Sequence, residues 1–237
     1  MNKLKKVKSK INKQDKIKSE RISDSYDYLL NTTRINPKEI WSDIIKPIYI
    51  LEHNDYTQQS WRSASGTAFE YFLATYYQQR LPSNYRIRKH GSKSKQQAVK
   101  SLGLENKISK EKIDLTIEYK HDDTWKIIGC PHVKTSLRER ISDLRSASEI
   151  LIRNNIFSPI LTIDAQSELG GSRDKNPNLG RSLIENQGVF SNMYCYNIDA
   201  EPTTKTDAKS QIKIINLPNK QDAFLSDIKS IHIDEVL

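Results

Sequence analysis

Cysteine is scarce: Cys130 and Cys195 are the only two in 237 residues, they lie far apart, and neither belongs to a CxxC pair. That argues against a disulfide framework and against a cysteine zinc site, and both residues read as buried thiols. The five histidines (His53, His90, His121, His132, His232) show neither HExxH nor HxxxH spacing, which argues against a histidine-rich metal centre. Long apolar runs are missing too. With a mean hydropathy of −0.70 and no uninterrupted apolar stretch of spanning length, the chain does not read as a membrane protein. Its lysine-rich start lacks the apolar segment of a signal peptide, so the expected location is the cytoplasm. No internal repeat is visible, and no second compositional regime demands another folded domain.

What is abundant is positive charge, unevenly placed. Residues 1–21 hold eight lysines and one arginine against Asp15 and Glu20, so +7 of the net +9 sits there. The division expected is a basic, flexible arm over residues 1–22 and a single domain over 23–237. The arm suits phosphate neutralisation with counterion release, or solubility alone.

Ser23 to Leu51 reads as helical in pieces, with a start at Asn36-Pro37 and a break at Pro47. From Ser60 to Leu81 the residues Trp61, Ala64, Ala68, Phe69, Phe72, Leu73, Tyr76 and Tyr77 recur at helical spacing, and Pro82 ends the pattern. Gly66 inside it suggests a close approach to the backbone. The basic stretch Arg86 to His90, continued by Lys93, Lys95 and Lys100, reads as a solvated loop. Lys112 to Tyr119 alternates as a strand, Lys120 to Asp123 is its turn, and Trp125 to Val133 is the returning strand, with Pro131 near its end. A helix over Ser136 to Asn154 and a short buried strand over Phe157 to Ile163 follow. Val189–Ile198 and Ile212–Leu217 are further strand candidates, and Gly170 to Gly180 reads as a loop. This order predicts an α/β (α+β) domain around a mixed central β-sheet flanked by helices.

The hairpin turn places Asp114 opposite the end of the returning strand, where Lys134 stands. Phosphodiester hydrolysis uses such a pair. A carboxylate holds Mg²⁺, which polarises the scissile phosphate and acidifies a bound water, while the lysine orients that water and offsets the developing charge. An ordinary cross-strand ion pair is the bland alternative. The continuation, Arg138-Glu139-Arg140, has the donors and acceptor for a G·C-rich step when aimed into a groove from a helix start: arginine pairs with guanine O6 and N7, glutamate with cytosine N4. Ser136 as N-cap with Glu139 in a capping box is the structural counter-reading. His132 as a general base is set against a hydrogen-bonded strand-end histidine. Residues Asp164 to Glu168 read as a connection, and Arg173, Lys175 and Arg181 stand evenly between phosphate contacts and solvated charges.

Across residues 60 to 165 the chain resembles type II restriction endonucleases of the PD-(D/E)XK superfamily, in the EcoRII/PspGI-like branch that cuts CCGG- or CCNGG-type sites. The match lies in Asp114, in Lys134 twenty residues later, and in the basic-acidic-basic triplet Arg138-Glu139-Arg140 four residues beyond it. The segment Gly66-Thr67-Ala68-Phe69-Glu70 is similar to the family's amino-proximal helix that carries a glutamate near the metal. Two positions depart from the pattern. His132 replaces the acid usually found two residues before the lysine, and the branch's migrated glutamate position is Ala147 here. Glu149, Asp143 or Glu70 would complete the metal set, and Glu149 is preferred, because a carboxylate on an otherwise apolar helical segment needs a reason to be there.

The resemblance implies a Mg²⁺-dependent, sequence-specific endonuclease acting on double-stranded DNA. Asp114, Lys134, Glu149 and Glu70 would be catalytic, with Asp114, Glu149 and Glu70 binding metal and Arg138, Glu139 and Arg140 reading bases. It further implies a homodimer matched to a palindrome and a cognate DNA methyltransferase. The readings set against it are a noncatalytic DNA- or RNA-binding protein and a repair or junction nuclease of the same superfamily.

Overall fold

The computed structural model describes residues 18–53, 57–137, 140–169, 178–218 and 222–231, with backbone alone at 140 and 178–180. The first helix, α1 (residues 18–32), begins inside the segment assigned to the basic arm. Ile22, Tyr26 and Leu30 form its buried stripe, and the Ser19 hydroxyl donates to the Ala64 carbonyl at 3.2 Å.

Asn36 starts α2 (Pro37–Glu39) by accepting the Lys38 N–H through its side chain. A π-helical turn over Ile40–Ile45 leads into α3 (Lys46–Glu52), where the Lys46 N–H reaches the Trp41 carbonyl five residues back. The break expected at Pro47 is absent. Widening the preceding turn lets the helix run on through a residue without an N–H. Helix α4 (Gln58–Gln78) is capped by Thr57 and Ser60 in a reciprocal box and buries every apolar position assigned from its spacing. A Cβ at Gly66 would meet nothing within 4 Å, so no close neighbour explains that glycine.

The basic stretch from Arg86 forms strand β1 (Tyr85–Lys89), not a loop, followed by α5 (Ser92–Ser101). Strand β1 pairs antiparallel with β2 (Leu115–His121) in the register Arg86 opposite Glu118. The Arg86 guanidinium bonds the Glu118 carboxylate and lies 4.0 Å over the Trp125 ring. Asp122 and Asp123 adopt positive φ values of 43° and 60° in the turn to β3 (Thr124–Gly129), a pair of left-handed residues that matches the twist of a tight hairpin.

The returning strand read from Trp125 to Val133 is in fact two. Strand β3 ends at Gly129, Pro131 interrupts the ladder for want of an N–H, and β4 (His132–Lys134) joins a parallel sheet ordered β4, β5 (Ile160–Thr162), β6 (Met193–Cys195), β7 (Ile212–Ile214). Backbone bonds from Leu115 to Pro131 and from Cys130 to Phe157 tie the antiparallel and parallel parts into one mixed layer.

Residues of the parallel strands alternate between two cores. Leu161, Tyr194 and Tyr196 pack with α1 and α4, while Ile160, Met193 and Cys195 pack with residues of α6 (Arg140–Arg153) and α7 (Asn178–Glu185). The last helix, α8 (Ala223–Lys229), closes the first core, with Phe224 4.8 Å from the Tyr77 ring. Both thiols are buried as expected, and burial pushes Cys130 up to about 12. Among the described residues no helix is long and apolar enough to cross a membrane.

Candidate active site

Asp114 immediately precedes β2, and Lys134 ends β4. The Asp114 Oδ2 accepts the Val133 N–H at 2.9 Å and the Lys134 Nζ at 2.7 Å. The pairing deduced from the hairpin is therefore present, although the lysine arrives on a strand of the other sheet. Asp114 Oδ1 faces Lys95 Nζ, from the first turn of α5, at 3.9 Å. Burial pushes the Asp114 carboxyl up, but the charge and hydrogen bond of Lys134 outweigh it and hold the group below the usual carboxylate range.

Glu70, on α4, pairs with Lys89 at 3.3 Å. Burial raises its carboxyl and the negative Asp114 raises it further, against the opposing ammoniums of Lys89, Lys95 and Lys134. Two carboxylates that repel each other amid lysines form a site where an added cation relieves strain between charges. Their hard oxygens fit Mg²⁺, which typically takes one or two protein carboxylates and fills its remaining positions with water and phosphate.

Glu149, the preferred second ligand, is placed elsewhere: it forms an i,i+4 pair with Arg145 at 2.9 Å and is one-third exposed. Asp143 is exposed on the first turn of α6. The Glu70 carboxyl, raised by burial, is raised further by the charge of Asp114. His132 is fully buried, with Nδ1 3.1 Å from the Lys112 carbonyl and Nε2 3.1 Å from the Ser158 hydroxyl. A carbonyl only accepts, so Nδ1 carries the proton and Nε2 accepts from Ser158. Burial lowers its pKa to about 4, so it is neutral and serves to fix β4, not as a base facing substrate.

Arg138 and Glu139, with the Arg140 side chain, lie outside the described residues, as do Arg173 and Lys175. The Ser136 hydroxyl donates to Glu168, which also accepts the Leu137 N–H, so a carboxylate from the 164–168 connection steadies the segment that leads to the triplet. Arg181 is structural: its guanidinium bonds Glu185 and the Leu169 and Glu201 carbonyls at 2.7–2.8 Å.

Sequence reasoning set the Arg86 to Lys100 stretch aside as a solvated loop with phosphate contacts and Asp164 to Glu168 as a connection, and missed the pairing of Lys89 with Glu70, of Lys95 with Asp114 and of Glu168 with the Leu137 N–H. The signal available for the first two was the Tyr85/Ile87 alternation, which makes β1 a strand and aims α5 at Asp114.

The family model for the BsaWI restriction endonuclease, type 2, matches residues 92–220, more than half of the chain and all of the segment from α5 through β7. This protein belongs to that family. AgeI, a type II restriction enzyme from Thalassovita gelatinovora, is 28% identical over 216 residues, covering 80% of this chain and 75% of AgeI. A specific AgeI–DNA complex superimposes with a TM-score of 0.75 at 25% identity, over 89% of this chain and 90% of that one. A pre-specific BsaWI–DNA complex shares the fold, with a TM-score of 0.57, 19% identity and coverage of 90% and 82%.

Membership of the BsaWI family makes the chain a type II restriction endonuclease, a sequence-specific DNA-cutting enzyme with the restriction-endonuclease fold. The noncatalytic and repair readings give way to it.

Proposed function

We propose that this BsaWI-family enzyme requires Mg²⁺ and hydrolyses both strands of DNA at a short G·C-rich palindrome of CCGG, CCNGG or related type. The observation that supports the chemistry is the contact of the Lys134 ammonium with Asp114 at 2.7 Å, with Glu70 in the field of the same charges. Asp114 and Glu70 would hold the divalent ion, whose Lewis acidity would draw charge from the scissile phosphate. Lys134, held on Asp114, is placed to orient the attacking water and to offset negative charge on the phosphate. His132 keeps β4 in position without adding a second proton acceptor.

Arg138, Glu139 and Arg140 read the G·C pairs in this proposal. Replacing Arg138 or Arg140 by alanine is expected to cost about 1–3 kcal/mol of discrimination at the contacted base, measured as competitive binding of single-base variants of the site. Unchanged discrimination removes the triplet from base reading. A palindromic site calls for a two-fold homodimer on DNA, and protection of host DNA calls for a methyltransferase of the same specificity.

The direct test is incubation with unmethylated phage DNA in Mg²⁺ or in EDTA, followed by end-sequencing. Discrete Mg²⁺-dependent fragments sharing one palindrome are expected. A retarded but uncut band in both conditions refutes the catalytic assignment.

A further inference from the structure

A cavity of about 390 Å³ opens beside Thr135 and Ser136, the two residues that follow Lys134, and neither Asp114 nor Glu70 lines it. Trp41 and Trp61 form its walls, and Lys46 from α3 and Arg62 from α4 line it, together with Gln58. No carboxylate lines it.

Several cations of the molecule have acidic partners: Arg86 and Glu118, Arg181 and Glu185, Lys213 and Asp227. Lys46 and Arg62 have none among the described residues, although Lys46 is half-buried, where an unpaired ammonium loses hydration without compensation. Two cations converging on a pocket free of acids await an anion.

Position identifies which one. Consecutive Cα atoms are about 3.8 Å apart, so Ser136 lies within roughly 8 Å of Lys134. Along α4, Arg62 lies about 12 Å from Glu70 at 1.5 Å per residue. In the proposed cleavage complex, DNA with its scissile phosphate at Lys134 would carry its backbone near this opening. Lys46 is a point charge without the planar fork that reads a base edge, and the pocket is built beside the strand that handles phosphate.

Resting on the reading of Asp114 and Lys134 as the cleavage centre, we infer that the pocket clamps a DNA backbone phosphate next to the scissile one. Lys46 and Arg62 supply the charge, and Gln58 and the Thr135 hydroxyl supply neutral donors. The contact is independent of sequence. It strengthens cognate and non-cognate binding alike and fixes the register of the strand against Lys134.

The test is equilibrium binding, in Ca²⁺ from about 50 to 200 mM salt, of the wild type and of the Lys46→Gln, Arg62→Gln and double variants. The probes are a duplex containing the cleaved site and a scrambled duplex. Each lost phosphate contact reduces the magnitude of the slope of log K against log salt by about 0.9 on B-DNA. The double variant removes the one phosphate contact, so it should lose about 0.9 from the slope on both duplexes and weaken both by a similar factor. Lys229→Gln, at an exposed position of α8 by the far end of α4, should leave the slope unchanged.

Unchanged slopes in the double variant, with normal wild-type binding and normal thermal unfolding, overturn the clamp. A loss confined to the cognate duplex also overturns it, in favour of base reading. A wild type that binds neither duplex refutes the nuclease site itself, which separates the two failures.

Discussion

Lys134→Ala should lower the single-turnover cleavage rate by at least about 10²–10³-fold while specific binding in Ca²⁺ stays largely intact. That magnitude is typical for removing one group that stabilises transition-state charge. Its ammonium lies 2.7 Å from Asp114, so the substitution also exposes Asp114 to the cost of a buried carboxylate that has lost a partner. Two features limit the damage: the Val133 N–H still donates to the same oxygen, and Lys95 stands 3.9 Å from the other. Lys134→Arg provides the control. It keeps a cation against Asp114 and hence most of the stability, but displaces the charge from the water it must orient, so cleavage should still fail. Loss of folding or of Ca²⁺-supported binding in both variants would mark the lysine as structural.

The second large effect distinguishes two carboxylates. Glu70→Gln is expected to remove cleavage by orders of magnitude and to weaken metal binding, read by calorimetry in Ca²⁺. Glu149→Gln should stay within about two- to threefold of wild type, because a partly exposed i,i+4 pair with Arg145 contributes only about 0.3–0.5 kcal/mol. Glu70 already lies in the field of Asp114 and three lysines, whereas the partner of Glu149 is one turn away on its own helix. An inactive Glu149→Gln beside an active Glu70→Gln would reverse the assignment.

Helix α4 and the Asp114–Lys134 pair were legible because their signals are local. Helical spacing shows the buried face of α4 directly, and the turn at Asp122 points the chain back toward Asp114, although Lys134 reaches it from the parallel sheet beyond the hairpin ladder. Strand β1 was not legible in the same way. A strand that reads Tyr-Arg-Ile-Arg-Lys looks solvated until the carboxylate that neutralises it is known, and Glu118 lies 32 residues away in the chain. The run from Trp125 to Val133 looked like one strand because its apolar character is nearly continuous. Only the backbone bonding shows it leaving one sheet for another at Pro131.

Glu149 was preferred over Glu70 on an argument from hydropathy. Its pairing with Arg145 gives the carboxylate a reason for its place that has nothing to do with metal. Glu70, by contrast, reaches the site through the packing of α4 against β1, a tertiary fact that spacing does not reveal. The Lys46–Arg62 pocket is of the same kind, since α3, α4 and the end of β4 meet only in the folded chain.

Asp114 belongs to the antiparallel half of the sheet, while the Val133 N–H and the Lys134 ammonium that it holds belong to the parallel half. In the proposed mechanism one carboxylate is thus both a part of the cutting centre and the latch between two halves of the fold. A chain with only one half formed has the residues for cleavage but not their meeting point. Folding itself therefore acts as a safety catch: a newly made or partly unfolded copy, drifting over the DNA of the cell that made it, is harmless until the latch closes.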